Sequence, residues 1–169
     1  MTSSKTIRTL AVLAAAAALI ACSPKYDWRD YRSNDAPFSI LFPGKPGTHT
    51  RDINLDGEQL TMSMAAAEVE HTMFAVGSTE LPDPAKAALA VQAMKTQMVR
   101  NIGAKVDKES TKDGAFLIDA SGVSNGVPMR LQARFLSHDK RAYQVVVMGP
   151  AKEMNEETVD TFMSSFKLN

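Results

Sequence analysis

With 169 residues, and 19 Lys plus Arg against 19 Asp plus Glu, the chain suits one ordinary domain and has no net charge with which to grip nucleic acid. Its single cysteine excludes an internal disulfide framework. Stability must therefore come from burial, which a 44% hydrophobic composition can supply.

The chain opens on a charged-then-apolar pattern. Lys5 and Arg8 precede an apolar run from Leu10 to Ala21, and no acidic residue occurs before Asp27. A run of about a dozen residues falls short of the ~20 that a membrane-spanning helix needs, which reads as a signal peptide. The run ends in Leu19-Ile20-Ala21-Cys22, which resembles a lipobox, the site where a leader is cut before a cysteine that carries lipid. Ile20 departs from the Ala or Ser commonest there. An ordinary signal peptide followed by an unpaired thiol is the alternative, but a free reactive thiol is a hazard in an exported protein. The expected organisation is residues 1–21 as leader, 22–27 as lipidated cysteine and short tether, and 28–169 as the domain.

Loss of the leader removes two basic residues and no acidic one, leaving a faintly acidic chain. Attachment to a membrane would thus come from acyl chains, at about 0.8 kcal/mol per buried methylene, rather than from charge. Ser23 to Asp27 can span at most ~16–18 Å, so the domain would ride close to the bilayer. Ser23, directly after the cysteine, resembles an outer-membrane sorting signal. The expected location is the periplasmic side of a Gram-negative-type envelope, on the outer rather than the inner membrane.

Residues 28–32 alternate aromatic and charged side chains, the period of a half-buried strand. Residues 38–42 form a second strand, stopped by Pro43-Gly44 and Pro46-Gly47. Strands at 49–55 and 59–67 flank the hairpin signal Asp56-Gly57, and residues 72–80 form another strand. A helix follows: Asp83 caps it, Pro84 suits its first position, Val91, Met94, Met98 and Ile102 form its stripe, and Gly103 ends it.

Four strands then succeed one another at 105–109, 115–121, 127–137 and 141–148, joined by turns at Asp113-Gly114, Asn125-Gly126 and Asp139-Lys140. In the third, Val127, Met129, Leu131, Ala133 and Phe135 face inward, with Arg130, Gln132 and Arg134 on the other side. Residues 143–148 are more evenly apolar, as expected of a central strand. A last helix carries Val159, Phe162, Met163 and Phe166 on one stripe. These elements predict an α+β class: a single domain with one twisted antiparallel sheet, a mid-chain helix and a C-terminal helix packed on it.

Three stretches, Phe38 to Gly44, Arg141 to Pro150 and Phe162 to Leu168, together resemble the PsbP-like superfamily, which includes the DcrB-type bacterial lipoproteins. The similarity covers the chain from about Trp28 to its end. It implies an α-β sandwich around an antiparallel sheet and an accessory or binding role. It supplies no shared catalytic residue to carry onto this sequence.

Several constellations invite chemistry. Met62, Met64, His71 and Met73 offer thioether and imidazole ligands suited to Cu(I), although methionine is also a routine core filler. Ser137, His138 and Asp139 name a hydrolytic triad, but consecutive turn residues point apart. Asp27, Asp30, Asp35, Asp52, Asp56 and Glu58 supply oxygen ligands without EF-hand spacing, and His49, His71 and His138 match no zinc spacing. Arg130, Gln132 and Arg134 could grip a carboxylate or phosphate from one sheet face, or simply cover that face. No cofactor is expected.

The pattern as a whole favours a non-catalytic accessory protein, anchored to membrane through Cys22 and binding an envelope protein or small ligand. The alternatives are an enzyme whose site is assembled from scattered polar residues, and a periplasmic carrier of a metal or small ligand.

Overall fold

Tight two-residue turns set the strands of this α+β chain, whose computed structural model describes residues 25–169. Leu19 to Cys22, and with them the leader and lipidation expectations, lie outside the described residues. In order, the elements are β1 (Arg29–Arg32), β2 (Phe38–Phe42), β3 (Gly47–Leu55), β4 (Glu58–Val69), β5 (Thr72–Glu80) and helix α1 (Pro84–Asn101). Then come β6 (Lys105–Lys112), β7 (Ala115–Ser124), β8 (Val127–His138), β9 (Arg141–Pro150), α2 (Glu156–Ser165) and β10 (Lys167–Leu168). The turns Asp56-Gly57, Asp113-Gly114 and Asn125-Gly126 take positive φ at both residues, the geometry that matches the twist of the strands they join.

Seven antiparallel strands run in the order β3-β4-β5-β9-β8-β7-β6. The sheet is two local meanders joined along β5 and β9, with α1 crossing over between them. β9 is fourth of seven and is buried from Ala142 to Val147, as its even apolarity requires. The outer strands differ. β6 is charged and its register shifts between Val106 and Lys108, whereas β3 is an uninterrupted edge, exposed along most of its length.

The expectation of one sheet needs correction, because β1, β2 and β10 form a separate three-stranded sheet. The cause is the C-terminus. Phe166, expected on the helical stripe, leaves the helix with φ −64 and ψ 123 and stacks on Phe38 at 5.6 Å. Lys167 and Leu168 are thereby delivered to pair with Ser39 and Phe38.

Both faces of the large sheet are covered. On one, α1 packs Ala87, Ala90, Val91 and Met94 over Leu131, Ala133, Phe135 and Val146. Asp83 caps this helix by accepting from Lys86 N–H at 2.9 Å, and Gly103, at φ +60, ends it so that Ala104 N–H reaches Val99 O at 3.1 Å. On the opposite face, α2 and the small sheet enclose an aromatic core. The Phe162 ring lies 5.3 Å from both Phe42 and Phe74, and Tyr143 meets Phe38 edge-on at 6.2 Å. A β-carbon on Gly149 would lie 2.7 Å from Thr72 Oγ1, so glycine is what lets β9 run close beside the start of β5.

The inward face expected for β8 is right for Leu131, Ala133 and Phe135 and wrong at its beginning. Val127 is exposed, because β8 starts beyond the end of α1.

Candidate functional site

Arg130, Gln132 and Arg134 lie on the α2 side of β8, and their surroundings are ionic. Register places Asp119 of β7 directly opposite Gln132. Arg130 donates from Nε and Nη2 to the two oxygens of Asp119 at 3.0 and 2.6 Å, a bidentate fork, and Gln132 Nε2 donates to the same carboxylate at 3.2 Å. Arg130 Nη1 also pairs with Glu156, in the first turn of α2. Arg134 lies over the Phe166 ring at 5.9 Å.

This row therefore does structural work of its own. The Arg130 guanidinium ties β7, β8 and α2 together, and the carboxylates it would have gripped from outside are supplied from within. Neither Asp119 nor Glu156 was singled out by the sequence. Each becomes visible only once register and helix placement are known.

The fork holds the Asp119 carboxyl below its usual range, chiefly through the Arg130 hydrogen bonds and against a smaller opposing effect of burial. A carboxyl depressed in the folded state contributes stability that is present above its unfolded value and lost as pH falls through the folded value. Asp119→Asn is expected to cost about 1–3 kcal/mol at neutral pH. That difference should shrink towards zero as the wild-type carboxyl protonates below its normal range. Chemical denaturation of both proteins across acidic pH measures it, and a pH-independent difference would remove the ionic account.

The methionine and histidine set does not converge. Met62 is buried beneath α1, and its sulfur accepts from Gln144 Nε2 at 3.8 Å. Met64 is half-buried on the same face, opposite Gly77, while Met73 pairs with Met148 four residues further along β5, ~13 Å away. His71 is exposed in the β4–β5 turn. Among the described residues, no three His, Cys, Asp or Glu side chains come together as a metal-holding group.

That turn carries its own tension. Glu70 and His71 both adopt positive φ, 48 and 62, with no glycine or asparagine to ease it. His71→Gly is expected to raise stability by about 1 kcal/mol, read as a higher denaturation midpoint. A loss instead would show that the imidazole makes a contact worth more than the strain.

His138 and Asp139 sit exposed on the β8–β9 turn, with Nε2 and Oδ2 3.7 Å apart. The acidic residues weighed as hard-cation ligands have other partners where they are paired: Asp27 with Arg29, Asp52 with Thr61, and Glu58 with Lys86.

Two grooves remain. The larger, about 470 Å³, lies between α1 and the β3–β4 hairpin, with Leu55, Leu60, Leu81 and Leu89 on its walls and Lys86 and Arg100 among its polar groups. The smaller, about 290 Å³, lies where α1 ends against β7 and β8, between Ile102, Val123, Met129 and Met148. No helix among the described residues is long and apolar enough to cross a membrane. Comparison with protein-family models and with curated proteins finds no match to this chain.

Proposed function

We propose that this chain is a lipid-anchored accessory protein of the cell envelope, held by acylated Cys22 and acting by binding rather than by catalysis. The carrying observation is Leu19-Ile20-Ala21-Cys22 at the end of a short apolar run, immediately before the structured domain. The domain begins at once. Lys25 is ion-paired with Glu70 at 2.5 Å, and Asp27 N–H donates to Pro43 O at 3.1 Å.

In this reading residues 28–169 form one PsbP-like domain whose two helices cover the central sheet, at the periplasmic face of the outer membrane. The test is the mass of the N-terminal peptide from protein extracted out of bacterial membranes. The expected peptide starts at Cys22 and carries a diacylglyceryl group. One starting elsewhere, or carrying no lipid, overturns the reading.

A second reading, a carrier of a small amphipathic ligand, is favoured by the larger groove. Its volume lies in the ordinary range for ligand sites, and its leucines suit an apolar body beside polar walls that carry both cations and the carboxylates of Asp56 and Glu58. Native mass spectrometry of the extracted protein decides between them: a co-purifying mass lost on Ala93→Trp, which fills the groove, supports the carrier.

A further inference from the structure

We infer that one end of the large sheet, formed by the β7–β8 hairpin tip and the end of α1, rests on the bilayer that the lipid anchor enters. The inference builds on the anchor reading above and adds an orientation to it.

Strand register defines the two ends. Val69↔Thr72, Met73↔Met148, Met129↔Pro150, Ser124↔Val127 and Lys105↔Ser121 put the β4–β5 turn, the end of β9 and the β7–β8 tip at one end. The chain enters the fold there. Lys25 is fastened to Glu70 of the β4–β5 turn, and Gly44 approaches Val69 of the same strand end. Three residues of chain, the span from Cys22 to Lys25, reach at most ~10–11 Å when fully extended. The β7–β8 tip is three strand spacings from the β4–β5 turn, or ~14 Å. An acyl anchor at Cys22 therefore brings this end, and not the other, to the membrane.

The exposed side chains agree. Among the described residues four large apolar side chains are exposed, and three of them, Ile102, Val123 and Val127, are at this end. Val123 is 71% exposed, at a tip whose turn residues, Asn125 and Gly126, are uncharged. Beside it opens the smaller groove, with Ile102, Met129 and Met148 on its walls. Arg100 and Lys105 are exposed at this end, as are the acidic Glu68 and Glu157, while Glu70 and Glu153 are paired with Lys25 and Lys152.

The opposite end is built otherwise. Its three hairpin turns are charged: each begins with an exposed aspartate, Asp56, Asp113 and Asp139, exposed Lys112 and Lys140 flank two of them, and Asp83 caps the helix there. An exposed apolar tip fits the interfacial region of a bilayer; a rim of charged turn residues does not.

The test uses the lipidated full chain in vesicles of phosphatidylethanolamine and phosphatidylglycerol. Acylation consumes the Cys22 thiol, so Val123→Cys introduces one labelling site for an environment-sensitive fluorophore, with Val127→Cys as a second variant at the tip and Lys140→Cys at the far end. The label at 123 or 127 is expected to be quenched several-fold more strongly by quencher-bearing lipids than the label at 140. Equal quenching at both ends, or none at the tip while the protein floats with the vesicles, overturns the orientation and leaves the anchor standing. Failure of the unsubstituted protein to float removes the anchor and the orientation with it.

Discussion

Replacing Cys22 by serine is expected to abolish incorporation of labelled fatty acid and to leave residues 1–21 attached to the chain. The effect should be all or none, because a hydroxyl cannot form the thioether that carries the lipid. Each buried methylene contributes about 0.8 kcal/mol, so one chain binds marginally and two or three bind durably. No compensating basic patch would replace them in a mature chain with slightly more acidic than basic residues. The domain itself should be unaffected, since its described contacts begin at Lys25. The measurements are fatty-acid labelling, electrophoretic size and the melting temperature of the extracted protein. Normal labelling of the serine variant would place the lipid elsewhere or nowhere.

Phe162→Ala is expected to be the most damaging single substitution of a side chain in the described fold. Phe162 is fully buried and touches Phe42 of the small sheet and Phe74 of the large one, so it fastens α2 between two sheets. Truncating a buried Phe costs about 3–5 kcal/mol, against a total stability of about 5–15 kcal/mol for a typical domain. The denaturation midpoint should fall steeply with little change in its slope. Leu89→Ala, at a site 71% exposed on α1, should change stability by no more than about 0.5 kcal/mol. A Phe162→Ala loss below about 1 kcal/mol would mean that the aromatic layer is not closed as described.

What could be read from the residues was mostly local. Asp56-Gly57 and Asn125-Gly126 announce their hairpins because few other residue pairs take positive φ twice in succession. The long helix was equally plain, since Asp83, Pro84 and Gly103 mark its two ends. Glu70-His71 makes the same kind of turn without the composition that signals it, so strain hid that hairpin.

The second sheet was hidden for another reason. Phe166 has the spacing of a helical stripe, and only the distant ring of Phe38 pulls it out of the helix. Arg130 shows the same limit at the candidate site. Its own face was evident from alternation, but its partners stand 11 and 26 residues away, on a neighbouring strand and a helix. Whether such a guanidinium is free for a ligand depends on pairings that no local pattern records.

The seam between β5 and β9 bears on how the chain reaches this structure. Each meander closes from neighbours in sequence, but Glu80 and Arg141, the nearer end of the seam, are 61 residues apart. Closing so long a loop costs entropy before any pairing rewards it, which slows folding of the sheet's centre. β9 is also the most apolar strand of the large sheet, so until the seam forms its sequence is exposed to mispairing. A chain exported tail-last would present β5 without its partner until Arg141 to Pro150 had crossed. In that case the vulnerable interval would last until β9 is available to pair, before Phe162 and Phe166 seal the aromatic face.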